Sequence, residues 1–204
     1  MSCYDRWVLP WLIDLCMRNK EARRYRERVI PQATGRVLEV GIGSGLNLPF
    51  YGAGVRHLFA LEPSRELRKM AGRRTKGARF TVEFLDRSAE EIPLERASVD
   101  TVVTTWTLCT IPDAVCALQE MKRVLKPGGV LLFVEHGLAP DANVQAWQHR
   151  LNPLWNRIGG GCNLDRKIDE LIVRSGFRLA ERQTEYVKGL KPLSFTYSGR
   201  AVPA

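Results

Sequence analysis

No stretch of this sequence stays apolar for the roughly 20 residues that a membrane-spanning helix needs. The opening residues show no secretory pattern, since the early apolar run carries Asp14 and lacks a small-residue cleavage site. Cysteine is scattered: Cys3, Cys16, Cys109, Cys116 and Cys162 form no C-x-x-C, stand at no zinc-like spacing from histidine, and are odd in number. A disulfide framework is excluded on that ground, no metal is expected, and a reduced cytoplasmic setting fits best. Acidic residues are in deficit, 22 Asp+Glu against 31 Lys+Arg, which leaves a net charge of +9. Such an excess favours anionic partners, whether nucleic acid, a membrane surface or acidic substrates, and says nothing about fold. No internal repeat or low-complexity tract appears. What remains, 45% hydrophobic and 26% charged over 204 residues, suits a single domain with a three-layer core.

The chain is organised around RVLEVGIGSGLNLPFY, Arg36 to Tyr51. Arg36 to Glu39 reads as a short buried parallel strand. Gly41, Gly43 and Gly45 follow at alternate positions, where positive φ is free and no side chain stands between backbone and ligand. A helix is expected just after, its free N–H groups favouring a polar or anionic ligand at that end. Spacing narrows the choice of ligand. A dinucleotide fingerprint, G-x-G-x-x-G, would need glycine where Leu46 stands, and a Walker A loop would need a nearby Gly-Lys-Ser/Thr.

Other elements follow in order. Residues 5–29 read as one helix, with an apolar stripe of Trp7, Val8, Trp11, Leu12, Leu15 and Cys16 followed by an arginine-rich end. It either packs across the domain or forms a lid that also rests on an anionic membrane surface. Pro10 is tolerated near a first turn or splits the helix. Arg56–Leu61 is a second strand; Glu62 at its tip is placed to accept from both ribose hydroxyls, or is a surface carboxylate near a helix start. Pro63–Arg74 is a helix. Arg79–Leu85 is a third strand, ending at Asp86, Arg87, Ser88 and Ala89. Val99–Thr105 is a fourth, followed by Trp106, which walls a pocket or belongs to the core. Asp113–Leu125 is a helix stopped by Lys126-Pro127-Gly128-Gly129, and Val130–Val134 is a fifth strand leading to Glu135-His136. Helices over Gln145–Ile158 and Asp165–Ser175 and strands over Phe177–Val187 and Ser194–Val202 complete the chain.

The E-x-G-x-G-x-G run from Glu39, Glu62, the D-R-S-A-E-E-I-P segment and the K-P-G-G turn resemble the class I (Rossmann-like) S-adenosylmethionine-dependent methyltransferases over roughly residues 33–137. Leu108-Cys109, the L-Q-E-x-x-R-V-L-K-P-G-G-V-L-x-F-x-E-H block and the later G-G-C-N-L-D-R are similar to one branch in particular. That branch comprises mammalian methyltransferase-like proteins of endoplasmic reticulum membranes and lipid droplets, which methylate alkyl thiols, and bacterial relatives of unassigned substrate. Its mammalian members carry a long hydrophobic N-terminal anchor, whereas this sequence has only Trp7 to Met17 in that place.

The resemblance implies a doubly wound, seven-stranded α/β sheet, mostly parallel with an antiparallel C-terminal hairpin. It divides a single domain into an N-terminal helical lid (1–30), a cofactor-binding core (31–137) and acceptor-side helices with the closing hairpin (138–204). It implies S-adenosylmethionine as cofactor, leaving as S-adenosylhomocysteine, against Glu39, Gly41, Gly43, Gly45 and Asn47 of the glycine loop and Glu62 and Pro63 of the second strand tip. Asp86 would reach the adenine amino group unless it caps the next turn, with Ser88 and Ala89 along the ring and Thr105 and Trp106 near the methyl. His136 is the candidate base for a small-molecule thiol acceptor, or a buried histidine satisfied by a carbonyl. Cys109 and Cys162 are assigned to packing or pocket lining, because the reaction needs no enzyme nucleophile. Alternatives are a phospholipid (ethanolamine) N-methyltransferase, which the basic amphipathic N-terminus would suit, and a non-catalytic S-adenosylmethionine-binding module. Nucleic acid is not an expected substrate, since Thr104-Thr105-Trp106-Thr107 stands where an Asn-Pro-Pro-Tyr or Asp-Pro-Pro-Tyr tetrapeptide would be.

Overall fold

The computed structural model describes residues 4–204, so Cys3 lies outside the described residues. One sheet of seven strands runs through the molecule in the order β3-β2-β1-β4-β5-β7-β6. The chain first forms a π-helical turn (Tyr4–Val8), then α1 (Leu9–Cys16) and α2 (Lys20–Val29). Strand β1 (Gly35–Val40) and strand β2 (Val55–Leu61) come next, then α3 (Arg65–Arg74), β3 (Thr81–Leu85) and β4 (Val99–Thr105). Helix α4 (Ala114–Val124) leads into β5 (Leu125–His136), and α5 (Ala142–Ile158) and α6 (Ile168–Arg174) precede the closing strands β6 (Phe177–Tyr186) and β7 (Phe195–Pro203).

Strands β1 to β5 are mutually parallel, and β7 returns antiparallel between β5 and β6. The seven-stranded mixed sheet and its antiparallel end agree with the fold implied by the sequence. Parallel strands covered on both faces need apolar residues in both registers, which explains the run Val37-Leu38-Glu39-Val40, buried throughout. Leu38, Val102, Leu131 and Phe133 face one core with Leu118 and Met121 of α4 and Ile172 of α6. Val37, Leu58, Val103 and Leu132 face the other, under Tyr25 and Val29 of α2. Leu58, Leu131 and Phe133 have no exposed surface, and burying each side chain contributes about 1.5–3 kcal/mol.

Three local expectations are corrected. The single helix over 5–29 is broken at Met17–Asn19, where the Asn19 side chain accepts from the Ala22 N–H at 2.8 Å and starts α2 afresh. Pro10 falls in the first turn of α1, where its missing N–H costs nothing. No α-helix follows the glycine loop. Only a 3₁₀ turn, Leu48–Phe50, forms there, with Leu48 and Tyr51 buried in the core under the sheet. Lys126-Pro127-Gly128-Gly129 lies within β5, where pairing to β4 jumps from Val99↔Leu125 to Thr101↔Val130. Among the described residues no helix is long and apolar enough to cross a membrane.

Candidate active site

The order of the sheet reverses between β1 and β4, and in such sheets the crevice beyond the carboxyl ends of those strands is where ligands bind. A cavity of about 1050 Å³ opens there, lined by the glycine loop, the tips of β2, β4 and β5, helices α1 and α2, and the end of α5 with the loop after it. Single small-molecule sites occupy about 300–1,000 Å³, so this one has room for a donor and an acceptor side by side.

Glu39 closes β1 but does not line the cavity; it is buried beneath the loop. One carboxylate oxygen accepts from Asn47 Nδ2 at 2.7 Å and the other from the Tyr51 hydroxyl at 2.8 Å. Asn47 also donates to Thr105 Oγ1 at 3.0 Å and accepts from Arg26 Nε at 2.9 Å. The Arg26 guanidinium lies 5.1 Å from the Trp106 ring centroid, within cation–π range. A buried network therefore ties α2, the glycine loop and the end of β4 together, with Glu39 beneath it. Trp106 lines the cavity and packs on the core, held at φ +51° while its N–H donates to the Val134 carbonyl at 2.7 Å. Backbone strain of that kind gathers at ligand sites.

Burial pushes the Glu39 carboxyl up to about 7, against the hydrogen bonds from Tyr51 and Asn47 and the charge of Arg26. A folded pKa above the unfolded value means the native chain binds the extra proton between pH 4.5 and about 7. The destabilising contribution of this residue is thus absent below that window and complete above it. Relative to Glu39→Gln, the wild type is expected to lose up to about 3 kcal/mol of unfolding free energy across the window. Urea melts of both proteins at each end of the range check this, and a difference that does not move with pH would refute it.

At the tip of β2, Glu62 accepts from the Gly43 N–H at 3.0 Å and the Ser64 N–H at 2.9 Å, with its carboxylate on the cavity wall. Gly41, Gly43, Asn47, Pro63, Ser88, Ala89, Thr105 and His136 also line the cavity. Gly45 does not; a Cβ there would lie 3.0 Å from Ala71 Cα, so it lets α3 pack closely. Asp86 lies outside the cavity wall, with its carboxylate turned outward to both Arg68 guanidinium nitrogens at 2.6 and 2.7 Å. The reason is local: Arg68 also donates to the Glu62 carbonyl, which fixes it across the ends of β2 and β3.

Several residues of the motifs that carry the resemblance have no role assigned from the sequence. Glu135 is buried at the end of β5 and accepts from Thr104 Oγ1 and from the Thr107 and Leu108 N–H groups at 2.8–3.0 Å, which shapes the loop after β4. Asn163 donates through both N–H and Nδ2 to the Cys109 carbonyl, at 2.8 and 2.9 Å, and Arg166 donates to the carbonyls of Leu108 and Ile111. The G-C-N-L-D-R run is thereby clamped onto the Leu108-Cys109 loop. That clamp brings Cys162 Sγ to 3.4 Å from Cys109 Sγ and 3.9 Å from His136 Nδ1. The hydrogen bond between the two sulfurs lowers the Cys162 thiol and raises that of Cys109. Spacing along the chain put neither cysteine near a histidine; tertiary contact does.

A family model described as a methyltransferase domain matches residues 38–133. The chain is 35% identical to human Thiol S-methyltransferase TMT1B over 83% of its own length and 72% of that protein's. It is 34% identical to the rat protein of the same name over 74% of its own length, and there it spans 62% of the relative, less than two thirds. A Phosphatidylethanolamine N-methyltransferase of Cereibacter sphaeroides is 27% identical over 76% of this chain and 77% of its own. Among solved structures, a SAM dependent methyltransferase from Aquifex aeolicus superposes with a TM-score of 0.64 at 19% identity, covering 95% of this chain and 98% of its own, a likeness of fold.

Proposed function

The chain belongs to the S-adenosylmethionine-dependent methyltransferases, and from that membership we propose that it moves a methyl group onto the sulfur of a small apolar thiol. Its cofactor is S-adenosylmethionine, which when bound supplies an electrophilic methyl on a sulfonium sulfur. The residues present fit it. A Cβ on Gly43 would meet nothing closer than the Gly41 carbonyl at 4.0 Å, so the glycine leaves open space facing the cavity. Glu62 offers a buried carboxylate beside that space for ribose hydroxyls, and Ser88 and Ala89 stand where the adenine end would lie.

The observation that supports the thiol reading is the wall of the same cavity, to which apolar Leu9, Ile13, Trp155 and Ile158 contribute along with Cys109, Cys162 and His136. Apolar walls exclude water from a thiolate and strengthen its attack as the sulfonium charge is lost. Holding both partners aligned supplies much of the acceleration, roughly 7–11 kcal/mol in favourable cases. A free thiol titrates near ~8.5, so the site must help to ionise it. Two chemistries start from His136: proton uptake at its unpartnered Nε2, or metal ligation together with the two cysteines.

An apolar acceptor also suggests where it comes from. Trp7, Trp11 and Leu15 of the N-terminal helices and Trp147, Leu154 and Ile158 of α5 are exposed. The Tyr4 hydroxyl joins the two regions by donating to the Ile158 carbonyl at 2.8 Å. With Arg18, Lys20, Arg150 and Arg157 nearby in sequence, this face suits peripheral contact with an anionic bilayer.

One assay tests both readings: S-adenosylhomocysteine formation with a medium-chain alkyl thiol, and separately with ethanolamine-lipid vesicles. Turnover is expected with the thiol alone, and pelleting with anionic vesicles at low salt is expected to fade at high salt. Turnover confined to ethanolamine lipid would replace the thiol assignment. Binding of S-adenosylmethionine without turnover on either would leave a binding module.

A further inference from the structure

Cys109, His136 and Cys162 come from three separate elements: the loop after β4, the tip of β5 and the loop after α5. Their candidate ligand atoms all lie within 4.8 Å of one another, on the wall of the large cavity. We propose that these three side chains bind a soft divalent metal of the zinc type, leaving its fourth position open toward the cavity for the sulfur of the acceptor. The identity of the fourth ligand rests on the thiol reading; the metal site itself does not.

Geometry comes first. Tetrahedral zinc with Zn–S near 2.3 Å and Zn–N near 2.0 Å sets its ligand atoms about 3.5–3.8 Å apart. The sulfurs stand at 3.4 Å and Cys162 Sγ to His136 Nδ1 at 3.9 Å, each within a few tenths of an ångström of that spacing, and all three ligand atoms lie within 4.8 Å, so the loops carrying Cys109 and His136 would draw together on a metal. Two sulfurs and an imidazole select zinc-like ions over magnesium or calcium, which prefer oxygen. Three protein ligands with one position free is the pattern of a zinc ion that handles substrate rather than one that only holds a fold.

His136 is a second, independent observation. It is 9% exposed; among the described residues its Nε2 has no hydrogen-bond partner, and its Nδ1 faces the Cys162 sulfur at 3.9 Å. Buried polar atoms are almost always partnered, and among the described residues this ring reaches only the sulfur of a neighbouring candidate ligand. The positions are also braced, through Asn163 on the Cys109 carbonyl and Arg166 on the carbonyls of Leu108 and Ile111. Supporting contacts of that kind hold ligands in place before a metal arrives.

The chemistry balances without an oxidant. On coordination the acceptor thiol gives its proton to cavity water. A lone pair of the bound sulfur then forms the new S–CH₃ bond as the methyl–sulfonium bond breaks, and that electron pair stays on the departing thioether. The neutral product is a weaker ligand than a thiolate and leaves the metal. In this arrangement ligation makes the thiolate, and His136 is not a base.

The test is a Co²⁺ titration of the fully reduced, chelator-washed chain. One Co²⁺ per chain is expected, with a thiolate charge-transfer band and the visible bands of a tetrahedral ion. Cys109→Ser, Cys162→Ser and His136→Asn should each weaken binding by more than about tenfold, as loss of a first ligand does at least as much as loss of a supporting contact. Cys116→Ser, on α4 and away from the cluster, should change nothing. Calorimetry with S-adenosylmethionine shows whether each variant is still folded. Adding an alkyl thiol should shift the visible bands.

A reduced chain that takes up no Co²⁺, or whose bands survive Cys162→Ser, overturns the metal site. Bands that ignore the thiol, or full turnover by a chain shown to be metal-free, overturn its role in the reaction. Neither result bears on S-adenosylmethionine binding, so failure here stays distinguishable from failure of the methyltransferase reading.

Discussion

Glu62→Ala is expected to weaken S-adenosylmethionine binding by ~10²–10⁴, the equivalent of two charge-assisted hydrogen bonds at about 1.5–3 kcal/mol each. The carboxylate is 6% exposed and already holds the N–H groups of Gly43 and Ser64. Its removal takes away the proposed ribose acceptor and also releases the middle of the glycine loop. Burial raises its pKa, with the Ser64 and Gly43 N–H groups opposing that rise. Calorimetry measures the loss, and a thermal melt shows whether the variant stays folded. An affinity within about threefold of wild type in a folded variant would remove Glu62 from the site.

The second large effect separates two glycines that look alike in the sequence. At Gly41, with φ +74°, an added Cβ would stand 2.4 Å from Thr107 Oγ1 and 2.5 Å from its Cγ2. Thr107 is held at both ends, its N–H donating to Glu135 and its hydroxyl to the Thr105 carbonyl at 3.0 Å. Gly41→Ala therefore combines a left-handed penalty of about 1–2 kcal/mol with an overpacking cost of about 1–3. Together these take a large share of the about 5–15 kcal/mol typical of whole-domain stability. At Gly43, with φ +55°, nothing lies closer than a carbonyl at 4.0 Å. Gly43→Ala is expected to cost stability only the conformational part, about 1–2 kcal/mol, yet to push a methyl group into the cofactor's space. Denaturant melts should single out Gly41→Ala, and calorimetry should show Gly43→Ala binding S-adenosylmethionine at least about tenfold more weakly. A Gly43→Ala variant with undiminished affinity would mean that the loop does not cradle the cofactor.

Much of the architecture was legible from local rules. Buried parallel strands announce themselves as apolar runs, as in Val37–Val40 and Leu131–Val134. Alternate glycines and a carboxylate at the next strand tip mark a ligand crevice wherever the sheet reverses order. Boundaries moved where side chains competed with propensity. Asn19 capped a new helix inside an apparently continuous one, and a 3₁₀ turn with Leu48 and Tyr51 buried takes the place of a helix after the glycine loop. The resemblance made Asp86 a ligand or a cap, and the structure pairs its carboxylate with Arg68, 18 residues away in sequence.

Local residues marked the buried strands, the glycine crevice and the carboxylate at the next strand tip, and the motifs they belong to carried the resemblance that implied the sheet and the methyltransferase character. Only the tertiary structure decided the rest. Glu39 is held by Asn47 and Tyr51 beneath the loop, Glu135 shapes the loop after β4, and Cys162 meets Cys109 across 53 positions of chain and His136 across 26. Those contacts are made by strand order and by the clamp of Asn163 and Arg166 on the loop after β4. Spacing along a chain holds no record of which distant loops a sheet will set side by side.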